Sequence, residues 1–390
     1  MRSREDIAEA AASRLEAADD DTVRSARALI GFDGFIDSII RPVDRRRSMK
    51  PNDFSRIETI GAFAARCAAA AGKSTNIEMH IAERRFGGNG PLMAGAMGCL
   101  GAGVTYIGAV GQSDAPTRLN PIYAPLAQRC SRVVPVAPAA ETDAIEFQDG
   151  KIMLGKPANV QSVTWGRLVD CVGLETLVAE AESATTIAVV NWVMMAGVEG
   201  IWRGLIDDVV PRLTPGTART VFVDLCDPAK RTDADIERAL GLLSELSSAI
   251  PVTLGLNQAE AERISAVLGV DIDDGPGVAS PGDAMRHAAE SIRALVGLGC
   301  CVVHPREGAA AATADGSAWF DGPFTRSPVL STGAGDHFNG GFALARALGC
   351  DLDESLAVAC TTSGAYVRDA VSPGRPRVIA FLRDLPAPVR

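Results

Sequence analysis

Six short apolar runs, rich in β-branched residues, recur along this chain: RALIGF (27–32), VTYIGAV (104–110), IAVVNWV (187–193), TVFVDL (220–225), PVTLGL (251–256) and CCVVH (300–304). Between them lie longer stretches with helical spacing, at 90–100, 168–183, 198–210, 233–248, 259–268 and 284–297. Uniformly apolar strands separated by helices constrain the fold more than any other feature, because such strands must be covered on both sides. The pattern predicts an α/β fold, with a mostly parallel central sheet flanked by helices on both faces.

The first residues place Ile7, Ala11 and Leu15 at helical spacing, so 1–26 reads as an N-terminal helical extension. One segment breaks the rhythm. AIEFQDGKIML (144–154) has two β-rich arms around Asp149-Gly150, a two-residue hairpin turn. It is a candidate flap over a site, with an ordinary edge hairpin as the equal alternative. No linker or internal repeat divides 27–390, which reads as one domain carrying a small β lid, its strands drawn from about 33–45 and 131–156.

A chain of 390 residues with 47% hydrophobic residues can bury a large core. A net charge of −10 argues against a nucleic-acid partner, since no basic excess is available to neutralise phosphates. The one dense basic run, Arg45-Arg46-Arg47, sits beside Asp44 and reads as a solvated loop. Nine cysteines occur without a C-x-x-C pair, and His80, His287, His304 and His337 lack metal-ligand spacing, so neither a disulfide framework nor a zinc site is expected. The opening residues lack an apolar signal core and no run reaches the ~20 apolar residues that span a bilayer, so no membrane partner and a cytoplasmic location are expected.

The most informative stretch is RSPVLSTGAGDHFNGGFALARALG (326–349). Phe338, Phe342 and Ala345 share one face of a helix that Gly349 can end. Thr332-Gly333-Ala334-Gly335 feeds into that helix as a loop of small residues, in which backbone N–H groups can converge on one anion. The helix N-terminus adds attraction worth up to ~2 kcal/mol. Asp336 stands in the first turn, where a carboxylate can accept a proton. A base beside an anion cradle is what phosphoryl transfer to a hydroxyl requires. The plainer alternative is an Asp that caps a helix after a tight glycine turn.

These residues resemble the C-terminal signature of the ribokinase-like, or PfkB, carbohydrate kinases, Asp-Thr-x-Gly-Ala-Gly-Asp, here Leu330-Ser331-Thr332-Gly333-Ala334-Gly335-Asp336. The resemblance implies a ribokinase-like fold, Asp336 as catalytic base, and the amides of Gly333, Ala334 and Gly335 as the anion hole. RFGGNGPLMAGAMGCLGAGVTYIGAVG (85–111) is similar to the N-terminal signature, which implies substrate contacts from Gly87, Gly88 and Asn89. LIGFDGFIDSI (29–39) places Asp37 near the family's substrate-binding aspartate, with Asp33 as competing candidate. LGLNQAEAE (254–262) contains Asn257-x-x-Glu260, similar to a motif that organises Mg²⁺ and phosphate, Glu260 acting through water. VDLCDPAKR (223–231) makes Arg231 a candidate phosphate contact, although Ala229 stands where the family has Asn. Thr332 and Gly308 complete the implied nucleotide and phosphate set. The resemblance thus implies ATP with Mg²⁺, a small sugar or related polyol as partner, and a homodimer as the family's occasional assembly.

Three departures bear on the chemistry. Leu330 replaces the signature's first Asp and its side chain has no oxygen to offer a hard cation, so weak or absent K⁺ activation is expected. Leu92 stands where the family often has Asn. His304-Pro305-Arg306 replaces Thr-x-Gly, which leaves open ATP or another phosphoryl donor. AAAAGKST (68–75) imitates a P-loop, but its first glycine is missing and a helix precedes it. Trp192, Met194 and Met195 read as core rather than pocket. Three functions fit: a sugar kinase, a nucleoside kinase on the same scaffold, or a catalytically silent metabolite-binding protein.

Overall fold

The computed structural model describes residues 2–275 and 277–388. In chain order the strands are β1 (Ala28–Phe32), β2 (Phe35–Arg46), β3 (Phe54–Arg56), β4 (Met79–Gly87), β5 (Val104–Gly108), β6 (Arg132–Pro135) and β7 (Ala140–Glu146). There follow β8 (Lys151–Lys156), β9 (Thr186–Val190), β10 (Thr220–Asp224), β11 (Val252–Asn257), β12 (Cys300–His304), β13 (Gly308–Thr313) and β14 (Gly316–Asp321). A nine-stranded sheet runs β14-β13-β12-β11-β10-β9-β1-β5-β6. It is parallel from β12 to β6, and β13 and β14 extend one edge as an antiparallel hairpin.

All six apolar runs become adjacent strands of this sheet, because their alternate side chains enter two separate cores. Leu29, Ile187, Val189, Val221 and Val223 face one cluster, covered by helices such as Asp233–Ala249 and Pro281–Val296. Ile30, Ala188, Val190 and Phe222 face the other, covered by Asn89–Cys99, Ala334–Ala347 and Leu352–Asp369. The helix Arg4–Ala17 buries Ile7, Ala8, Ala11, Ala12 and Leu15 in that second cluster. The 1–26 segment is therefore an integral layer of the fold and not an appendage. Residue 1, where that segment starts, and residue 390, where the 27–390 domain ends, lie outside the described residues.

The second sheet has β2 at its centre, with β4 antiparallel on one side, β7 parallel on the other and β8 outside β7. The far end of β2 pairs with β3. The Asp149-Gly150 turn joins β7 to β8, with Gly150 at φ 154°. Two boundaries differ from the sequence expectation. Within 131–156, β6 is an edge of the central sheet, so the lid strands start at Ala140. β3 and β4 also belong to the lid; β4 (MHIAERRFG) is exposed along most of its length and shows no apolar periodicity. The P-loop imitation lies at the end of the helix Ile60–Ala68 and in the exposed turn after it. Among the described residues no helix is long and apolar enough to cross a membrane.

Candidate active site

The chain leaves β1 in one direction to reach β5 and later returns on the other side with β9. Ligands of open α/β sheets bind beyond the carboxyl ends of strands at such a reversal. Polar residues gather there: Asp33 just after β1, Asn191 after β9, and Asp224, Asn257 and His304 closing β10, β11 and β12. The helices Asn89–Cys99 and Ala334–Ala347 pack together beneath this rim. A Cβ on Gly340 would lie 3.2 Å from the Ala96 Cβ, so the missing side chain permits the close approach.

Asp336 occupies the first turn of the Ala334–Ala347 helix and is 7% exposed, so its carboxylate is sheltered but not sealed. Its Oδ1 accepts a hydrogen bond from Asn89 Nδ2 at 3.0 Å. Burial, then the Asp224 and Asp33 carboxylates, push its pKa well above the usual carboxylate range, while the Asn89 bond opposes them. Asp224 and Asn191 were not singled out in the sequence. Their signal is a polar residue closing an apolar strand run.

Upstream of Asp336, Gly333 caps the helix at φ 89°. A Cβ there would meet Leu92 Cδ1 at 3.0 Å and the Tyr366 hydroxyl at 3.1 Å, so glycine is required on both grounds. The Ala334 N–H turns into the loop and donates to the Ser331 carbonyl at 3.2 Å. Of the three implied anion-hole amides, those of Gly333 and Gly335 have no protein acceptor among the described residues. Thr332 is tied on two sides: its hydroxyl accepts from Lys151 Nζ of the lid, and its carbonyl accepts from the Tyr366 hydroxyl at 2.8 Å.

Ala334 and Gly335 open onto a cleft of 410 Å³ that also holds Asn257, His304, Arg306 and Gly308. Pro323, Phe324, Pro328, Phe338 and Val367 supply apolar wall. The Arg306 guanidinium lies 5.2 Å from the Phe324 ring centre. His304 stands against the cradle, its Cε1 3.3 Å from where a Gly335 Cβ would be. An apolar slot ending at free amides and a helix N-terminus suits a base joined to a polyphosphate.

On the opposite side of Asp336, the two early aspartates separate. Asp33 is fully buried, and its carboxylate accepts from Asn89 N (2.9 Å), Gly90 N (2.8 Å) and Asn191 Nδ2 (2.7 Å). It therefore caps the Asn89–Cys99 helix from outside, with little capacity left for a ligand. Asp37, on the lid strand β2, lies against Gly87, where an added Cβ would stand 2.4 Å from its Oδ2. Burial raises its pKa, and Arg85, Lys151 and Thr142 oppose the rise. Gly88, at φ 100°, completes the turn.

Asn257 and Glu260 form a capping box: Glu260 N donates to Asn257 Oδ1 at 3.0 Å and Asn257 N to Glu260 Oε2 at 2.8 Å. Glu260 Oε1 accepts from Asp227 N at 2.9 Å. Burial and then the Glu260 charge push Asp224 up to about 7. Among the described residues no three His, Cys, Asp or Glu side chains converge on one point. The Asp224–Glu260 pair, short of positive charge and already bonded to amides, fits Mg²⁺ held through water rather than by direct ligation. Arg231 is not among the residues that line the cleft. Its guanidinium lies over Trp192, 4.4 Å from the ring centre, which also buries Trp192 as core.

Residues 5–385 match the family model of prokaryotic ketohexokinase. A ketohexokinase of Haloferax volcanii is 28% identical over 387 residues, covering 94% of this chain and 97% of the relative. Solved structures of similar fold include an Arabidopsis thaliana ribokinase complexed with ribose and ATP, at TM-score 0.60 and 15% identity, covering 92% of this chain and 98% of that one. The phosphofructokinase-2 of Escherichia coli also matches at TM-score 0.60 and 16% identity, with the same coverage. A nucleoside kinase of Methanocaldococcus jannaschii follows at TM-score 0.56 and 14% identity, again over 92% and 98%. At such identities these structures bear on the fold alone, and the fold they share is ribokinase-like. With the family model spanning nearly its whole length, the chain belongs to the prokaryotic ketohexokinase family and is a carbohydrate kinase.

Proposed function

We propose that this kinase transfers the γ-phosphoryl group of ATP to a hydroxyl of a ketohexose. One observation carries the reading: the Asp336 carboxylate is held at a helix N-terminus, between the free amides of Gly333 and Gly335 and the Asp37–Gly87 turn. The apolar cleft takes the nucleotide and aims its phosphates at those amides. Asp37, with the Gly88 and Asn89 turn, orients the sugar so that one hydroxyl faces Asp336. Asp336 accepts the hydroxyl proton as the oxygen attacks the γ-phosphorus and the bond to the bridging β-phosphate oxygen breaks, so that ADP leaves. The amides carry the charge that develops on the phosphoryl oxygens. Lys151 and Arg85 add positive charge at the same mouth. Asp224 and Glu260 would hold Mg²⁺ through water, and the ion offsets charge on the nucleotide phosphates. The ketohexose choice is supported by the family match and by the name of the Haloferax relative.

The test is ATP turnover against ketohexoses, aldohexoses, pentoses, sugar phosphates and nucleosides. Fructose-like ketoses are expected to give the highest kcat/KM, and a nucleoside in that place would replace the reading. Asp336→Asn, nearly isosteric, is expected to lower kcat about 10²–10⁴-fold with an unchanged circular dichroism spectrum. Near wild-type turnover would remove Asp336 from the base role.

A further inference from the structure

His337 follows the base directly, yet its ring points away from the cleft. Nδ1 lies 2.7 Å from the Gly333 carbonyl and Nε2 lies 2.9 Å from Ser372 Oγ. Ser372 Oγ in turn lies 3.1 Å from Arg129 Nη1. Both ends of this chain allow only one direction. A guanidinium can only donate and a carbonyl can only accept. Arg129 therefore donates to Ser372, the Ser372 hydroxyl donates to Nε2, and Nδ1–H donates to the Gly333 carbonyl. The neutral Nδ1–H tautomer is fixed by its partners.

The groups facing the ring reinforce this state. Tyr366 stacks on it with ring centres 3.6 Å apart and planes 13° from parallel, and Arg129 lies beyond Ser372. Burial, with the Arg129 charge, pushes His337 down to about 4, and the Gly333 carbonyl opposes them. The Tyr366 hydroxyl is pushed up to about 12, so it remains neutral. Cys99 beside Ser372 is likewise raised by burial.

The Gly333 carbonyl also accepts from His337 N at 3.1 Å, so one residue engages it twice. A peptide unit is planar, with its C=O and N–H pointing in opposite directions. Fixing that carbonyl thus fixes the Ala334 N–H and the turn on which the Gly333 and Gly335 amides sit. We infer that Arg129, Ser372 and His337 form a one-directional relay that sets the orientation of the anion-binding loop, with His337 as its positioning residue. The relay rests on the kinase reading of Asp336 and assigns work to three residues outside it.

The test uses the full chain with ¹⁵N-labelled histidine. His337 is expected as the neutral Nδ1–H tautomer, its resonances identified by their loss in His337→Asn. His337→Phe keeps a flat ring on Tyr366 but removes both nitrogens. It should lower kcat by roughly 10²-fold, with acceptor KM within about threefold, because a loop displaced by about 1 Å costs this much. His337→Asn places an amide N–H near the lost Nδ1–H and should recover most of that loss. Ser372→Ala should leave Nδ1–H on the carbonyl, so the Nδ1–H tautomer persists, but it frees Nε2 and loosens the ring, giving a smaller fall in kcat than His337→Phe. An Nε2–H tautomer in the wild type, a folded His337→Phe with full kcat, or no recovery in His337→Asn would each overturn the relay. If His337→Phe fails to fold, the tautomer and the Ser372→Ala comparison decide. An active Asp336→Asn would instead overturn the kinase reading, which keeps the two failures apart.

Discussion

Asp33, Asp224 and Asp336 are buried close enough to act on one another, and burial drives each upward, Asp33 to about 6 and Asp224 to about 7. For Asp336 the protonated form is favoured, so its capacity as a base fades as pH falls through a value above the ordinary ~3.9 of Asp. The acid limb of kcat should therefore lie well above that value, and Asp224→Asn, which removes the strongest like-charge influence on Asp336, should shift the limb downward. The same variant should raise Tm. A carboxyl whose folded pKa exceeds its unfolded one contributes stability at low pH, and that contribution is lost as pH rises through about 7. An amide avoids the loss. Its new N–H can also meet Asn339 Oδ1, now buried without a partner, if the Asn339 amide turns. A thermal scan beside a pH–rate profile reads both effects. At the acceptor turn, Gly87→Ala would force a methyl to 2.4 Å from the Asp37 carboxylate, so sugar KM should rise about tenfold or more while nucleotide binding holds. The Leu330 side chain gives no oxygen near the cradle, so exchanging NaCl for KCl at fixed ionic strength should leave turnover unchanged.

Among elements, strands covered on both faces announced themselves, because two-sided burial leaves an unbroken apolar run. The hairpin β13–β14 did not. Its Ala309–Ala312 stretch has low β-propensity, yet Ala310 and Ala312 pack in the same core as the helix Pro281–Val296 while Ala309 and Ala311 face the second core. The Asn257-x-x-Glu260 pattern was legible as a motif, but its geometry is that of a capping box, and spacing cannot separate these readings. Lys151 went unnoticed for a related reason: a lysine after a hairpin turn looks solvated until the fold brings Thr332 to it. Its half-buried ammonium donates to the Thr332 hydroxyl; burial lowers its pKa, and the Glu146 and Asp37 carboxylates oppose the fall. Lys151→Met should lower kcat about tenfold, and Lys151→Arg should lower it less, as steady-state kinetics at saturating ATP would show.

Across the whole molecule, the N-terminal helix closes the second core, and Arg14 Nε reaches Glu354 Oε2 at 2.9 Å on a helix far along the chain. Burying Ile7 and Leu15 alone is worth about 3–6 kcal/mol, comparable with the net stability of many domains. Leu15→Ala should destabilise the protein by about 2–5 kcal/mol in chemical denaturation without altering KM. The central sheet and the lid meet with equal economy, since β1 ends at Phe32 and β2 begins at Phe35. Only Asp33 and Gly34 intervene, and Asp33 is anchored by three hydrogen bonds. Strand β2 therefore cannot shut over the pocket without carrying Asp37, the residue proposed to hold the sugar, along with it. Closing and grasping become one movement, and a water molecule, too small to drive it, should be a poor thief of the phosphoryl group: without sugar, nucleotide should be consumed only slowly.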